Sequence, residues 1–238
     1  ESAFSLPDDA VAVTGEPRVD VLSQGTPTQR RERARQALTA VVGELPSDAT
    51  RLVLYAPTWR DGDADPAIPS PDDWRDILEV LRAEDAVLLI RSHPLGAGDY
   101  TPPRGTEGGE RVRRLGSELV RDATPLLSGL DALVTDYSSM AFDVSLVPLP
   151  VVFLAPDLDS YAVDRGFYGV YEDVAGADYA TSWKEATAQL SRILGDPAEH
   201  ERRTIASTQL SARVHAYSDG ENAVRVYERI TQDLQAQP

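Results

Sequence analysis

The sequence is poor in the residues that build disulfides and metal sites. It contains no cysteine and only three histidines, and Lys184 is the one lysine among 23 basic residues. Without cysteine, neither a disulfide framework nor a thiolate zinc site can form, and so few histidines do not favour a histidine metal site. We therefore expect no metal ion and no other cofactor.

Long apolar runs are absent as well. No stretch approaches the roughly 18 consecutive apolar residues that a membrane-spanning helix needs. Residues 1–9 also lack the basic and apolar regions of a secretory signal peptide. We expect a soluble chain without a transmembrane segment, and 42% hydrophobic residues in a chain of 238 suffice to bury a sizeable core.

The charge balance argues against one class of partner. The formal net charge is −16, whereas proteins that bind nucleic acid need clustered basic residues. Arginine suits bidentate phosphate contacts, but here it is spread over the whole chain and marks no site by itself. We predict no nucleic-acid partner, and any phosphate must be bound at a local site.

Hydrophobic patterning predicts alternating strands and helices. Short aliphatic runs predict strands at residues 11–13, 51–55, 86–90, 132–135 and 151–154. Helical spacing predicts helices at residues 28–42, after Ser70, at 138–146, and three more between 182 and 234. Residues 95–116, rich in Gly, Pro and charge, are expected to form a surface loop. The pattern predicts an α/β fold with a Rossmann-like, doubly wound parallel sheet, which binds ligands beyond the carboxyl ends of its strands.

Three polar clusters follow three of these strands. They are Thr58-Trp59-Arg60, Arg91-Ser92-His93 and Asp136-Tyr137-Ser138-Ser139. If their strands are neighbours, the clusters share one rim of the sheet. Ser138 and Ser139 open a helix, where hydroxyls and free backbone N–H groups can hold a phosphate. The alternative is that Asp136 or Ser138 is only a helix cap, and capping does not exclude phosphate binding.

His93 and the aromatic clusters each have two interpretations. At a strand end, the His93 imidazole could donate to a phosphate oxygen or act as a general acid, or it could be structural. Trp59 and Arg60 could contact ligand or form a cation–π or core pair. Arg165 precedes Gly166 and could reach a diphosphate, or its loop could simply close over the core. The arginine-rich run 30–35 is most simply the solvated face of a helix rather than a site for anionic lipid.

Taken together, the motifs form an ordered series from Thr14 almost to the end of the chain. They are Thr14-Gly15-Glu16-Pro17-Arg18, Tyr55-Ala56-Pro57-Thr58-Trp59-Arg60, Arg91-Ser92-His93-Pro94, Thr135-Asp136-Tyr137-Ser138-Ser139, Phe142-Asp143, Ala155-Pro156-Asp157, Arg165-Gly166-Phe167-Tyr168 and Asp219-Gly220. In order and spacing this series resembles that of the CDP-glycerol glycerophosphotransferase family, the teichoic acid polymerase type.

The resemblance implies one half of a GT-B-type glycosyltransferase fold. Residues 28–238 would form the CDP-glycerol-binding domain, and residues 1–27 a connector from an N-terminal acceptor domain. The family's N-terminal domain carries a His-Gly-Thr-Pro motif with a histidine taken as the catalytic base, and this sequence has no such motif. Glu16 also stands where the family commonly has an aromatic residue. We therefore expect a chain that binds the donor but turns over poorly alone.

The reaction that the resemblance implies is transfer of glycerol phosphate from CDP-glycerol to a growing polyol-phosphate polymer, with release of CMP. His93 would be the catalytic donor or acid, and the donor-binding residues would be Thr58, Arg60, Arg91, Asp136, Ser138, Ser139 and Arg165. The acceptor would be a lipid-linked polymer reached through the N-terminal domain, which places the enzyme in the cytoplasm at the inner face of the bacterial membrane. Alternatives left open are a nucleotide-sugar glycosyltransferase or epimerase of the same fold, a non-catalytic nucleotide-binding module, and a CDP-ribitol donor.

Overall fold

The chain is built on a five-stranded parallel sheet. The structure, a computed structural model, describes residue 7 and residues 10–60, 65–92 and 98–235. The strands are β1 (Arg51–Ala56), β2 (Ala86–Ile90), β3 (Val112–Arg114), β4 (Ala132–Thr135) and β5 (Val151–Phe153). Their order in the sheet is β3-β2-β1-β4-β5, and every neighbouring pair is parallel. The predicted doubly wound parallel sheet is confirmed.

Eight α-helices complete the described part of the chain. They are α1 (Pro27–Val42), α2 (Pro71–Ala83), α3 (Met140–Ser145), α4 (Leu158–Asp164), α5 (Glu172–Ala175), α6 (Trp183–Gly195), α7 (Pro197–Val214) and α8 (Asn222–Gln235). Short 3-10 helices lie at Pro17–Leu22, Gly109–Arg111 and Thr124–Gly129. Among the described ranges, no helix is both long and apolar enough to cross a membrane.

Local sequence explains where the first two long helices begin. Thr26 before α1 forms a capping box with Gln29, and Ser70 before α2 forms one with Asp73. Each box satisfies backbone N–H groups that a helix start leaves without partners. A proline follows each cap, where its fixed backbone angle suits the first helical turn.

The sheet buries both of its faces. Along β1, Leu52 and Leu54 face one side of the sheet, while Val53 and Tyr55 face the other. The first side packs with α1 and the 3-10 helix Thr124–Gly129, and the second packs with α2 and α6. Burial on both faces accounts for the nearly continuous aliphatic strands, which show no polar alternation.

The segment before α1 packs into the same fold. Val19 and Leu22 are buried, and the Asp20 carboxylate accepts hydrogen bonds from the backbone N–H groups of Asn222 (2.9 Å) and Ala223 (2.8 Å). Asp20 therefore caps the first turn of α8 from the opposite end of the sequence. The expected boundary between connector and domain at residue 27 remains a prediction.

Three local expectations fail. Residues 11–13 form no strand, and Val11 and Val13 are exposed, because none of the strands in the described ranges pairs with them. The expected loop 95–116 contains edge strand β3 and a 3-10 helix within its described part. The two arginines of β3 make the sequence of this strand look like a charged loop. An edge strand tolerates charged residues because it pairs with only one neighbouring strand. Helices α4 and α5 are also additions to the predicted set.

Candidate functional site at the switch point of the sheet

The strand order reverses direction between β1 and β4. From β1 the chain builds the sheet outward through β2 and β3, then returns to add β4 and β5 on the other side of β1. In sheets of this kind the crevice beyond the carboxyl ends of the two strands at the reversal is the usual ligand site. The clusters at residues 58–60 and 136–139 follow β1 and β4, so the predicted shared rim is confirmed for these two.

Arg60 is the centre of a buried ion-pair cluster on this rim. Its side chain is 11% exposed and pairs with Asp136 (3.1 Å) and Asp157 (2.8 Å). All five N–H donors of its guanidinium are used, because further bonds go to both carboxylates and to the carbonyl of Thr58. Arg60 thus joins three rim segments that follow β1, β4 and β5.

Asp136 is the most enclosed member of the cluster. It also accepts hydrogen bonds from the backbone N–H groups of Thr58 (2.8 Å) and Tyr137 (2.6 Å). Burial raises the pKa of Asp136 above its usual range, against the opposing influence of Thr58 and the Arg60 charge. Burial acts in the same sense on Asp157, but hydrogen bonds from Arg60 and Tyr137 hold the pKa of Asp157 below its usual range. Burial also works against the charge of Arg60, yet the two aspartates raise its pKa, so the guanidinium stays charged.

Stacked aromatic rings cover the cluster. Tyr137 and Tyr161 stack with ring centroids 3.9 Å apart, and the Arg60 guanidinium lies 5.1 and 5.0 Å from their centroids. The Tyr137 hydroxyl donates to Asp157 (2.9 Å), and the Tyr171 hydroxyl donates to the carbonyl of Asp136 (3.1 Å). The rings hold α4 and the segment after it against the carboxyl end of β4.

A pocket of about 360 Å³ opens beside this cluster. Its walls come from the turn after β4, from α3, from the end of β5, and from α4, α5 and the segment between them. They are Asp136, Tyr137, Ser138, Ala141, Phe142, Phe153, Tyr161, Gly166, Phe167, Tyr168, Gly169, Val170, Tyr171 and Val174. Tyr168 is almost fully exposed at the mouth. A pocket of this size, largely aromatic with few polar groups, is typical of a small-molecule site.

Ser138 and Ser139 lie in the turn between β4 and α3. The Ser138 hydroxyl accepts a hydrogen bond from the backbone N–H of Met140 (3.2 Å), and Ser138 lines the pocket. Ser139 is the residue before α3 and makes no side-chain capping bond. Ser138 is therefore a local cap that also lines the pocket, and phosphate binding by Ser138 and Ser139 stays a prediction.

The remaining predicted site residues are placed differently. Arg91 donates to the carbonyls of Leu115 (3.0 Å) and Val120 (2.9 Å), so it fastens the segment after β3 to the end of β2. Burial lowers the pKa of Arg91. The Arg165 guanidinium lies 5.7 Å from the Trp59 ring centroid, which brings Arg165 beside the 58–60 cluster. His93 lies outside the described residues, and its role stays a prediction.

The arginine-rich run on α1 is engaged within the protein. Arg31 and Arg35 both pair with Asp131, and Arg30 and Arg33 donate to backbone carbonyls. This side of the molecule lies at the amino ends of the strands, away from the rim, because Asp131 directly precedes β4. Among the described residues, no group of three or more His, Asp or Glu side chains could hold a metal ion.

Sequence reasoning missed the two acidic partners that organise the site. Asp157 binds an arginine 97 residues away, and Asp143 on α3 pairs with Arg18, which lies 125 residues away. No local pattern gives such pairings, although both aspartates stand in the motif series. Tyr137 was predicted only as part of the polar cluster at residues 136–139, and the roles of Tyr161 and Tyr171 were not predicted.

Known proteins are similar to this chain in sequence and in fold. A family model described as CDP-Glycerol:Poly(glycerophosphate) glycerophosphotransferase matches residues 1–232. The chain is 33% identical over 178 residues to the teichoic acid glycerol-phosphate transferase of Staphylococcus aureus, which covers 72% of this chain and 42% of that protein. It is 27% identical over 239 residues to the teichoic acid ribitol-phosphate primase of Bacillus spizizenii, covering 98% and 56% of the two chains.

The structural comparison extends over the whole fold. A structure of a variant of the wall teichoic acid polymerase TagF soaked with CDPG superposes with a TM-score of 0.71 and 26% identity, covering 99% of this chain and 54% of that one. The predicted GT-B-type architecture is confirmed by this likeness. The chain spans about half the length of each of these three proteins. With the family model matched across nearly all of its residues, the chain belongs to the CDP-glycerol:poly(glycerophosphate) glycerophosphotransferase family.

Proposed function

We propose that this chain is the donor-binding half of an enzyme that transfers glycerol phosphate from CDP-glycerol to a growing poly(glycerol phosphate) or related teichoic acid or capsule polymer. The observation that carries the proposal is the pocket beside Ser138 and Ser139 at the switch point, in a chain of this family. The polymerase that shares its fold has been soaked with CDPG, which favours the same donor here.

In this proposal residues 28–238 bind the donor, and residues 1–27 connect them to an acceptor-binding half. The coverage of about half of each relative supports this division. The polymer acceptor would be lipid-linked and would bring the enzyme to the inner face of the bacterial cell membrane as a peripheral protein. Sedimentation of the complete enzyme with vesicles containing a lipid-linked polyol phosphate tests this placement, and loss of binding when the polymer is omitted is the expected result.

The chemical step divides between the two halves. The acceptor hydroxyl attacks the phosphorus bonded to glycerol, the bond to the CMP phosphate breaks, and CMP leaves with the developing charge. The base that takes the hydroxyl proton would come from the acceptor half. The proposed contribution of this chain is charge stabilisation by His93, Arg91, Arg165, and the backbone and hydroxyls at Ser138 and Ser139.

The contacts of Thr58, Arg60 and Asp136 support a more specific role for these three predicted donor residues. Arg60 has its five N–H donors engaged inside the protein, and Asp136 accepts from Thr58, Tyr137 and Arg60. We propose that they set the shape of the rim, while Ser138 and Ser139 contact the diphosphate directly.

Calorimetric titration with CDP, CDP-glycerol and UDP-N-acetylglucosamine tests the proposal. We expect the two cytidine ligands to bind and the uridine ligand to bind more weakly. The double variant Ser138→Ala/Ser139→Ala should weaken CDP binding by about tenfold or more, on the scale of lost hydrogen bonds to a charged group. Thermal stability should fall only slightly, through the lost bond between the Ser138 hydroxyl and the Met140 N–H.

A matched control is the double variant Thr208→Ala/Thr231→Ala. Both hydroxyls are exposed and donate only to a carbonyl one turn earlier in their own helices. CDP affinity should be the same as that of the wild-type chain. Absence of CDP binding at millimolar ligand, or equal CDP affinity in the two double variants, contradicts the assignment.

A further inference from the structure

Helix α3 forms one wall of the pocket, but it is too short to hold its own position. It has six residues, Met140–Ser145, and Ser139 supplies no side-chain cap. Helices of this length are not stable alone, so tertiary contacts must set its orientation. Ala141 and Phe142 of α3 line the pocket, and Ser138 directly precedes the helix. Any displacement of α3 therefore displaces the pocket wall and the serine turn together.

The face of α3 away from the pocket is held by a side chain from the beginning of the chain. Arg18 forms two parallel hydrogen bonds with Asp143, at 2.7 Å and 3.0 Å. The Asp143 side chain is 4% exposed, whereas that of Arg18 is 43% exposed. Glu16 orients the guanidinium from its other edge at 2.6 Å. This bidentate arrangement fixes direction as well as distance, which a single-point contact does not.

A second contact holds the same turn of α3. The His215 Nε2, just after α7, lies 2.9 Å from the carbonyl oxygen of Phe142, and it must donate because a carbonyl only accepts. Arg18 and His215 thus hydrogen-bond to Asp143 and Phe142, which are consecutive residues of α3. The two contacting segments lie almost 200 residues apart in sequence. Burial raises the pKa of Asp143, an effect that the Arg18 charge opposes, so loss of Arg18 leaves an unbalanced buried carboxylate.

We propose that Arg18 is a positioning residue for the donor site, acting through Asp143 to fix α3 and with it the Phe142 wall and the Ser138–Ser139 turn. The inference rests on the proposed function for the identity of the ligand. It gives a reason for the Arg18 and Asp143 positions in the motif series, because neither side chain lines the pocket.

Titration with CDP and amide hydrogen exchange on the same variants test the proposal. Arg18→Ala should weaken CDP binding by about tenfold, and Arg18→Lys by less because it keeps a charge beside Asp143. Hydrogen exchange at residues 140–146 should become faster in Arg18→Ala, while exchange in α1 stays the same. The control is Arg229→Ala, which removes an arginine of similar exposure from a pair with Asp233 on α8, and both readouts should match the wild-type chain.

The double variant Arg18→Ala/Asp143→Asn separates positioning from simple stability. Removing the unpaired buried charge should restore the thermal midpoint toward that of the wild-type chain, yet CDP binding should stay weak because the grip on α3 is still absent. Wild-type CDP affinity in this double variant, or unchanged exchange at residues 140–146 in Arg18→Ala, overturns the proposal. Failure of the wild-type chain to bind CDP would reject the proposed function, and the exchange experiment would still decide whether Arg18 fixes α3.

Discussion

Two largely buried arginines are each held by a pair of carboxylates. Arg60 lies on the rim of the sheet, and Arg203 lies in α7, away from the pocket. Arg60 pairs with Asp136 and Asp157 beside the pocket. Arg203, in α7, pairs with Glu199 (3.0 Å) and Asp178 (2.8 Å) and also donates to the carbonyl of Val151 in β5 (3.3 Å). The Arg60 side chain is 11% exposed and that of Arg203 is 5% exposed.

The two clusters differ in charge balance. Arg202 joins the α7 cluster through both of its carboxylates, so two guanidinium groups face two carboxylates. On the rim, a single guanidinium faces the two carboxylates of Asp136 and Asp157. We propose that this balance makes the rim cluster shape the loops instead of attracting a diphosphate. In that proposal the positive charge for a phosphate comes from other residues, such as Arg165, Arg91 and His93.

The largest expected effect comes from removing each arginine. Arg60→Ala should lower the free energy of unfolding by about 3 kcal/mol or more, because it leaves the buried Asp136 carboxylate without its partner. Arg203→Ala should lower it by about 1 to 3 kcal/mol, because Arg202 still pairs with both carboxylates while the Val151 carbonyl and the Gln189 side chain lose a buried donor. Only Arg60→Ala should also weaken CDP binding, since only its cluster lies beside the pocket. Urea unfolding and calorimetric titration of the folded variants measure the two effects.

Arg75→Ala is the stability control for this pair of variants. Arg75 and Asp72 form an ion pair in which both side chains are largely exposed, and its loss should change the free energy of unfolding by less than about 0.5 kcal/mol. An equal loss of CDP affinity in Arg60→Ala and Arg203→Ala would show that the rim cluster has no closer relation to the CDP site than the α7 cluster has.

His93 provides the next largest expected effect, on catalysis instead of stability. If it stabilises charge on the departing CMP, His93→Ala should lower the turnover of an active enzyme preparation by about a hundredfold, with a smaller change in donor affinity. The reason is that this interaction strengthens as the transition state forms. Steady-state kinetics and thermal unfolding on the same variant measure it.

If His93 has a purely structural role, the opposite result is expected. The variant His93→Ala should then lose thermal stability but keep nearly normal turnover per folded molecule. Turnover within a few fold of the unaltered enzyme would remove His93 from the mechanism, leaving the serine turn and the arginines.

Much of the fold could be predicted because buried parallel strands have a simple composition. The strands at 86–90 and 132–135 match their predictions residue for residue, since both are aliphatic runs buried on both faces. Edge strand β3 consists of Val112, Arg113 and Arg114, whose pattern resembles a charged loop. Its strand state depends on pairing with β2, which no local pattern encodes.

Sequence could predict only those parts of the site that directly follow strands, because ligands bind beyond the carboxyl ends of parallel strands. Thr58, Asp136 and Ser138 follow strands, and parallel topology brings their segments together. The pairing of Arg60 with Asp157 and of Arg18 with Asp143 depends on tertiary packing across about 100 residues or more. Sequence therefore predicted which segments meet on the rim, but it could not separate the residues that hold the rim together from those that line the pocket.

The smallest expected effect concerns acid, and it tests the contribution of the Glu199 charge to the α7 cluster. Hydrogen bonds from Arg202, with further help from Arg203, lower the pKa of Glu199 to about 2 from its usual 4.5. A carboxylate whose pKa is depressed by folding stabilises the protein above its unfolded pKa, and this contribution is lost as pH falls through the folded pKa.

Glu199→Gln should therefore be less stable than wild type at neutral pH, by under about 1 kcal/mol because Arg202 is half exposed. The difference should shrink between pH of about 4.5 and about 2. On the rim the two shifts have opposite signs, because burial raises the pKa of Asp136 while hydrogen bonds from Arg60 and Tyr137 hold the pKa of Asp157 below its usual range against the effect of burial. Urea unfolding of both proteins across this pH range measures the difference, and a constant difference would show that the α7 cluster does not depend on the Glu199 charge.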